Sequence, residues 1–206
     1  MALSEEKKRQ IERRNFLSSI FIIMLVGIAY AEMVTAVRES VRSSGLTLGT
    51  TILFWVFFFT CMRFFVGNQL HLMSENLLKM NGGVWFFDLM FITLQTLVII
   101  FLGGLSSVEA NRNSVVDFVD LLIMLYSIDV LWITSQWGLG KISTAWRRTF
   151  VPWAWAILNS LLLISILILH LVTRDLFSNT SLIWLGCLSA IGFVVDLILI
   201  DYYELI

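Results

Sequence analysis

Helix-breaking residues are scarce in this chain. Its 206 residues include a single proline, Pro152. Secondary transporters build their substrate sites from helices that are broken in mid-membrane, and proline and glycine are the usual means of breaking them. Several of the 12 glycines lie instead at the ends of apolar runs: Gly82, Gly83, Gly103, Gly104, Gly138 and Gly140. The composition therefore disfavours an alternating-access mechanism.

Charged and catalytic residues are also few. Charged residues make up 14% of the chain, against roughly a quarter in soluble domains. The net charge is −1, so the composition does not indicate a basic face for nucleic acid. The sequence has no HExxH, no GxSxG and no phosphate-binding glycine loop, and Cys61 and Cys187 lack the spacing of a zinc or redox site. We expect no enzymatic activity, no catalytic residue, no nucleic-acid partner, no cofactor and no metal.

What the chain does have is six apolar stretches. A hydrocarbon core of roughly 30 Å is crossed by about 20 helical residues, and each stretch is about that long. The sequence therefore predicts an all-α polytopic membrane protein with short loops. Residues 1–14 would be a charged cytoplasmic arm, and 15–206 a six-helix transmembrane domain. The predicted spans are 16–37, 48–66, 84–105, 115–134, 150–172 and 181–200.

Basic residues predict the orientation. With six spans, ten lysines and arginines fall on one side and four on the other: Lys7, Lys8, Arg9, Arg13, Arg14, Arg63, Lys79, Lys141, Arg147 and Arg148 against Arg38, Arg42, Arg112 and Arg174. The richer side is cytoplasmic by the positive-inside rule. Both termini are then cytoplasmic, in what we expect to be a bacterial inner membrane. The span 115–134 is the exception in composition, because it carries three aspartates. If it lay on the surface, the C-terminus would be outside and a re-entrant hairpin would be needed.

Carboxylates inside the spans are the main functional candidates. One at mid-span costs roughly 2.5–3.5 kcal/mol, so it persists where packing or function supports it. Depth divides the polar residues into two layers. The inner layer holds Arg63, Asp88, Asp129 and Asp196, and the outer layer holds Glu32, Asp117, Asp120 and His170. We expect Arg63 to pair with Asp88, since a cytoplasmic loop joins their spans at similar depth. A structural role is favoured over ion conduction.

Helical spacing assigns several of these residues to faces. Asp88 and Gln95 share a face of the third span. Asp117 and Asp120 share a stripe with Met124 and Ser127, whereas Asp129 lies on the opposite side of that helix. The fourth span is therefore expected inside the bundle or at a subunit interface. Two sets of small residues predict close helix contacts: Ser189, Gly192 and Asp196 on the sixth span, and Gly27 and Ala31 on the first.

The predicted cytoplasmic surface supplies candidates for docking a partner. They come from the charged arm and the inner loops: Lys7, Lys8, Arg9, Arg13, Arg14, His71, Glu75, Lys79, Arg147 and Arg148. The spacing of four between His71, Glu75 and Lys79 fits a metal or phospholipid contact, but the solvated face of an amphipathic helix is favoured. Tryptophans near this boundary are interpreted as interface anchors: Trp85, Trp132, Trp137, Trp146, Trp153 and Trp155.

Three functions remain open. The first is a homo-oligomeric anchor or sensor that couples the lipid bilayer to a soluble cytoplasmic protein, by analogy with small bacterial stress or phage-defence pairs. The second is an oligomeric cation channel with carboxylates such as Glu32 or Asp129 around its axis. The third is a proton-coupled transporter of small solutes that uses Asp88, Asp129 or Asp196 as a relay. The anchor is placed first.

Overall fold

The computed structural model describes residues 5–43, 45–73, 82–106, 112–142, 153–173 and 179–204. Within these ranges the regular structure is entirely α-helical, which confirms the all-α prediction. Six helices are formed: α1 (Glu5–Ser43), α2 (Leu48–Met73), α3 (Gly82–Leu105), α4 (Arg112–Ile142), α5 (Trp153–Thr173) and α6 (Asn179–Glu204).

Five of the helices in the described ranges are long and apolar enough to cross a membrane. Their apolar segments are Phe16–Ser43, Leu48–His71, Gly83–Leu105, Ala154–Val172 and Asn179–Leu199. The chain is therefore a polytopic α-helical membrane protein. The remaining helix, α4, carries the three aspartates. It has 31 residues, or about 46 Å at 1.5 Å per residue, and it packs between α3 and α5.

Several helices extend beyond their predicted bounds, and in α1 and α2 the extension changes how charged or polar residues are placed. α1 is continuous from Glu5 and has 39 residues, so it is about 58 Å long. The charged segment before Phe16 therefore belongs to the same helix as the first span. α2 continues to Met73, which places His71 on a membrane helix rather than on a separate surface segment.

A short connection reverses the chain between α1 and α2. Gly45 has a φ of 78°, in the left-handed region that glycine adopts without strain. The Thr47 hydroxyl then accepts a hydrogen bond from the backbone N–H of Thr50 at 3.1 Å. Thr47 is thus the N-cap residue of α2, and its hydroxyl caps the N–H of the third helical residue. This cap explains why α2 begins at Leu48.

We call the half of the bundle nearer Glu5 the proximal half, and the half nearer Gly45 the distal half.

The helices pack around one main apolar core. α1 packs on α3 and α2, α2 on α6, α3 on α4, α4 on α5, and α5 on α6. Fully buried side chains from α2, α3 and α4 fill the centre. They include Leu53, Phe57, Phe64, Ile99, Leu102, Phe118, Leu122 and Leu125. α4 therefore lies within the bundle, as its aspartates on two faces predicted.

Small residues permit two of these contacts. A Cβ on Gly103 would lie 2.6 Å from the backbone oxygen of Ala29, so α3 approaches α1 closely there. Gly27 and Ala31 mediate no helix contact among the described residues of one copy, because both are exposed and a Cβ on Gly27 would meet nothing within 4 Å. They lie on the far side of α1 from Ala29. The predicted small-residue face of α6 is confirmed: its members, Ser189, Gly192 and Asp196, are all buried.

Two adjacent glycines test the close approach of α1 and α3. Gly103→Ala places a methyl group against the Ala29 carbonyl, whereas a Cβ at Gly104 meets nothing within 4 Å. Alanine favours a helix over glycine by about 1 kcal/mol. We expect Gly104→Ala to raise or preserve the thermal midpoint of the detergent-solubilised protein and Gly103→Ala to lower it. Equal midpoints would contradict the contact.

Candidate functional site

A buried arginine is central to the proximal half. Arg63 on α2 is 1% exposed. Its Nε donates to Asp196 Oδ2 on α6 at 2.5 Å, its Nη1 to the Tyr126 hydroxyl on α4 at 2.9 Å, and its Nη2 to Asn159 Oδ1 on α5 at 2.9 Å. The guanidinium therefore joins four helices through three different nitrogens. Buried charge persists in membranes when it is paired in this way.

Space for this arginine depends on a glycine. A Cβ on Gly192 of α6 would lie 3.1 Å from Arg63 Nη1 and 2.9 Å from Leu162 Cδ1. The guanidinium also lies 5.6 Å from the ring centroid of Tyr126 and 5.7 Å from that of Trp155. These distances suit cation–π attraction, which is stronger in a dry site. The small-residue face of α6 thus accommodates a side chain of α2 as well as a helix backbone.

Hydrogen bonds converge on a carboxylate next to this site. Asp129 on α4 is fully buried. Its Oδ1 accepts from Gln95 Nε2 at 2.8 Å, and its Oδ2 accepts from Trp155 Nε1 at 2.7 Å and from Asn159 Nδ2 at 2.6 Å. An ionised carboxylate only accepts hydrogen bonds, and these three N–H donors match that property.

Two amide side chains connect Asp129 to the rest of the network. Asn159 accepts from Arg63 and donates to Asp129. Gln95 donates to Asp129 while its Oε1 accepts from Asn68 Nδ2 at 3.2 Å. The chain of bonds therefore runs Asn68 to Gln95 to Asp129 from one side, and Arg63 to Asn159 to Asp129 from the other. It joins α2, α3, α4, α5 and α6 in one network.

Asp88 belongs to a second cluster near the proximal end. Its Oδ1 accepts from Trp132 Nε1 at 3.0 Å and from Gln136 Nε2 at 2.7 Å, and its Oδ2 lies 3.2 Å from His71 Nε2. The ring of His71 also packs edge-on against Trp132, with centroids 4.9 Å apart. The predicted Arg63–Asp88 pair is therefore wrong. Arg63 pairs with Asp196 because α2 packs against α6, a contact that loop connectivity does not reveal.

Three carboxylates face a groove in the distal half. Glu32 on α1 and Asp117 and Asp120 on α4 are exposed and line an open cavity of about 700 Å³. Its other lining residues are Ile100, Phe101, Gly104, Leu105, Leu121 and Met124. We call this cavity the distal groove. Asp120 faces it while Asp129 is buried on the other side of α4, which confirms their predicted opposition.

Apolar packing separates the groove from the proximal network. Asp120 and Asp129 are nine residues apart, or about 13 Å along the helix axis. Between these levels lie buried apolar side chains of α2, α3 and α4, among them Phe57, Ile99, Leu122 and Leu125. The two polar regions predicted from depth are thus separate parts of the molecule.

Some of the predicted docking residues lie within the described part of the chain, and others lie outside it. Arg9 and Arg13 are exposed on α1, and Lys7, Lys8 and Arg14 lie on the same helix. His71 is half-buried against Asp88 rather than on a solvated face, because α2 carries it into the bundle. Glu75, Lys79, Arg147 and Arg148 lie outside the described residues.

Sequence reasoning missed several members of the network. Trp132 and Trp155 were predicted to be interface anchors, which is wrong: both are buried and donate to aspartates. The neutral polar members Asn68, Tyr126, Gln136 and Asn159 are also buried. A signal for them was present, since Trp155 and Asn159 are one helical turn apart in an apolar run, as are Trp132 and Gln136.

No protein-family model, curated protein or solved structure matches this chain.

The convergence on Asp129 gives a stability prediction. Asp129→Leu removes the acceptor for three buried N–H groups, and each orphaned group costs about 1–3 kcal/mol. We expect a loss of about 2–5 kcal/mol in unfolding free energy, measured by denaturant titration in detergent micelles. Ser127→Leu on the exposed side of α4 is the control. Equal losses for the two variants would contradict the network.

The ion pair gives a second prediction. Asp196→Leu leaves Arg63 without its carboxylate partner, and breaking a buried pair costs about 3–5 kcal/mol. Arg63→Leu combined with Asp196→Leu removes both charges. We expect this double variant to be more stable than Asp196→Leu alone, in the same titration. A double variant that is less stable by the full sum of the two single losses would show that the charges are not coupled.

Proposed function

We propose that this chain is a non-enzymatic, homo-oligomeric anchor subunit that couples the bilayer to a soluble cytoplasmic protein. In this proposal it lies in a bacterial inner membrane with both termini in the cytoplasm. The observation that carries the proposal is the continuity of α1, which runs from its charged start at Glu5 through the bundle to Ser43 without a break. A partner bound to the charged end is thereby connected directly to the membrane helix.

The charged end of α1 has a suitable geometry. Eleven residues of α1 precede the apolar segment that begins at Phe16, which is a projection of about 16 Å. Arg9, Glu12 and Arg13 are exposed on it. Charged side chains on a rigid helix can recognise a partner by complementary charge, with little loss of backbone entropy on binding.

The base to which α1 is attached is held together by polar contacts. The network around Asp129 joins the other five helices in the proximal half, and α1 packs against two of these, α3 and α2. A base joined in this way supports a protein that transmits position or force. An apolar layer above the network offers little support for passage of ions through a single copy.

The distribution of basic residues supports the proposed orientation. Arg9, Arg13 and Lys141 lie at the proximal end of the described helices, and Arg38 and Arg42 at the distal end of α1. Among the residues that the structure describes, the proximal half holds more lysines and arginines than the distal half. The positive-inside rule therefore favours a cytoplasmic proximal side.

Charge reversal at the projecting end of α1 tests the anchor role. We expect the double variant Arg9→Glu with Arg13→Glu to lose a soluble protein that co-purifies stoichiometrically with the wild type after cross-linking in native membranes. Arg42→Glu is the control, because it makes the same change at the opposite end of the same helix. Quantitative mass spectrometry of the purified complexes gives the ratio of partner to subunit.

Two results would contradict the anchor role. One is a wild-type protein that brings down no soluble partner at a stoichiometric ratio. The other is a partner that is retained equally by the double variant and by Arg42→Glu. The orientation is measured separately, by protease or thiol-reagent access to a tag placed at residue 1 in sealed inside-out vesicles.

A cation channel is the second candidate, and one observation favours it. Glu32, Asp117 and Asp120 face the open distal groove, where an oligomer could bring carboxylates of several copies together. Asp117→Asn with Asp120→Asn would then abolish a cation current in planar bilayers. A proton-coupled transporter that relays through Asp88, Asp129 or Asp196 has less support, because Asp88 and Asp129 are already engaged by fixed N–H donors.

A further inference from the structure

The distal groove is the end of a longer apolar surface. α3 forms its floor, with α1 and α4 on either side. Exposed side chains follow α3 at intervals of three or four residues, which places them on one stripe. They are Phe86, Met90, Leu94, Leu97 and Phe101. A lipid chain could cover the apolar side chains in the proximal part of this stripe. The distal part, in contrast, is flanked by three carboxylates.

No described side chain of the same copy pairs with these carboxylates. Among the described side chains, Glu32, Asp117 and Asp120 take part in no hydrogen bond or ion pair. Asp117 and Asp120 are five and eight residues into α4 from Arg112, or about 7–12 Å along its axis. At this depth a carboxylate in lipid is unfavourable, and a cation is the natural partner.

The same chain displays a cation on a suitable helix face. Arg38 lies about 120° around α1 from Glu32, on the side that faces away from the core. Val34 and Val41 are 58% and 50% exposed, and with Arg38 they have the spacing i, i+4, i+7. This is the pattern with which a helix anchors in an apolar groove. We call these three residues the α1 stripe.

We propose that the α1 stripe of one copy docks in the distal groove of a second copy, with the Arg38 guanidinium between Asp117 and Asp120. Val34 and Val41 pack against the exposed side chains of Phe101 and Met124. The occupant of the groove is thus a second copy of this chain. The inference rests on the homo-oligomeric part of the proposed function and adds the surface that forms the oligomer.

Depth along the membrane supports the match. Arg38 is six residues beyond Glu32 toward the distal end, about 9 Å along α1. Asp117 is about 4–5 Å distal to Asp120, which lines the same groove as Glu32. Copies related by an axis along the membrane normal keep their residues at equal depth. The remaining offset between Arg38 and Asp117 is a few ångströms, which an arginine side chain spans.

Charge chemistry favours arginine at this position. A guanidinium presents several N–H donors in one plane and binds two carboxylates at once more readily than a lysine ammonium does. It is also more weakly hydrated, so less free energy is lost when it enters a partly apolar groove. Within the membrane the alternative for Asp117 and Asp120 is contact with lipid chains.

Two complementary variants test the proposal. The first carries Asp117→Lys and Asp120→Lys, and the second carries Arg38→Glu. In an oligomer of either variant alone, every groove would bring like charges together. When the two are co-expressed with different tags, each groove at a contact between unlike subunits holds opposite charges again. Lys141→Glu, a charge reversal at the exposed proximal end of α4, is the control and is expected to assemble as the wild type does.

The expected result is a selective mixed assembly. Subunit counting by single-molecule photobleaching in nanodiscs should show oligomers for the wild type and at least about a tenfold loss of self-association for each variant alone. Co-purification through both tags should recover the mixed oligomer. Native mass spectrometry that finds the wild type only as a monomer with bound lipid would overturn the proposal.

Other outcomes would overturn the proposed interface without rejecting the anchor role. Oligomers that form equally in both variants would place the interface elsewhere and leave the oligomeric anchor standing. Loss of assembly in each variant without recovery in the mixture would also reject the pairing, provided that the tagged variants remain folded by circular dichroism. Binding of a soluble partner at Arg9 and Arg13 is measured independently, so its failure does not affect this result.

Discussion

Hydrogen bonds centred on one carboxylate link five helices of this protein. Asp129 accepts N–H groups from α3 and twice from α5, and through Gln95 and Asn159 it is linked to Asn68 and Arg63 on α2. Arg63 extends the connection to Asp196 on α6. Inside a membrane the hydrophobic effect contributes little to the choice of helix neighbours. Directional polar contacts and close packing therefore specify the arrangement. The positions of α2 to α6 in the proximal half therefore depend on this convergence.

Sequence reasoning predicted the class of fold and the level of the polar residues, but not their partners. Apolar length identified the helices, and helical spacing placed Asp120 and Asp129 on opposite sides of α4. The pairing of Arg63 failed because it was inferred from the loop between spans, whereas α2 packs on α6, which is distant in sequence. Trp132 and Trp155 were misread because an indole near a span end suits both an interface and a buried carboxylate.

The proximal network and the distal groove differ in whether their polar groups are paired within one copy. The proposed function assigns a different role to each region. In the proximal network the acceptors of Asp129 are matched by donors within one copy, which makes a closed structural site. In the distal groove the carboxylates are exposed and have no cation among the described residues, which makes an incomplete site. A closed site suits a fixed base for α1, and an incomplete one suits assembly with another copy. Under the proposal, the buried charge of the proximal half serves architecture and the exposed charge of the distal half serves association.

If the Asp129 network is dry and closed, its N–H groups are protected from exchange with solvent. Solid-state NMR of the ¹⁵N-labelled protein in lipid bilayers, exchanged into D₂O, measures this protection. The Trp155 indole N–H, bonded to Asp129 at 2.7 Å, should persist, with a downfield proton shift typical of a bond to a carboxylate. Trp137 lies at the proximal end and is 44% exposed, so its indole N–H should exchange. Exchange of Trp155 at the rate of Trp137 would contradict the account.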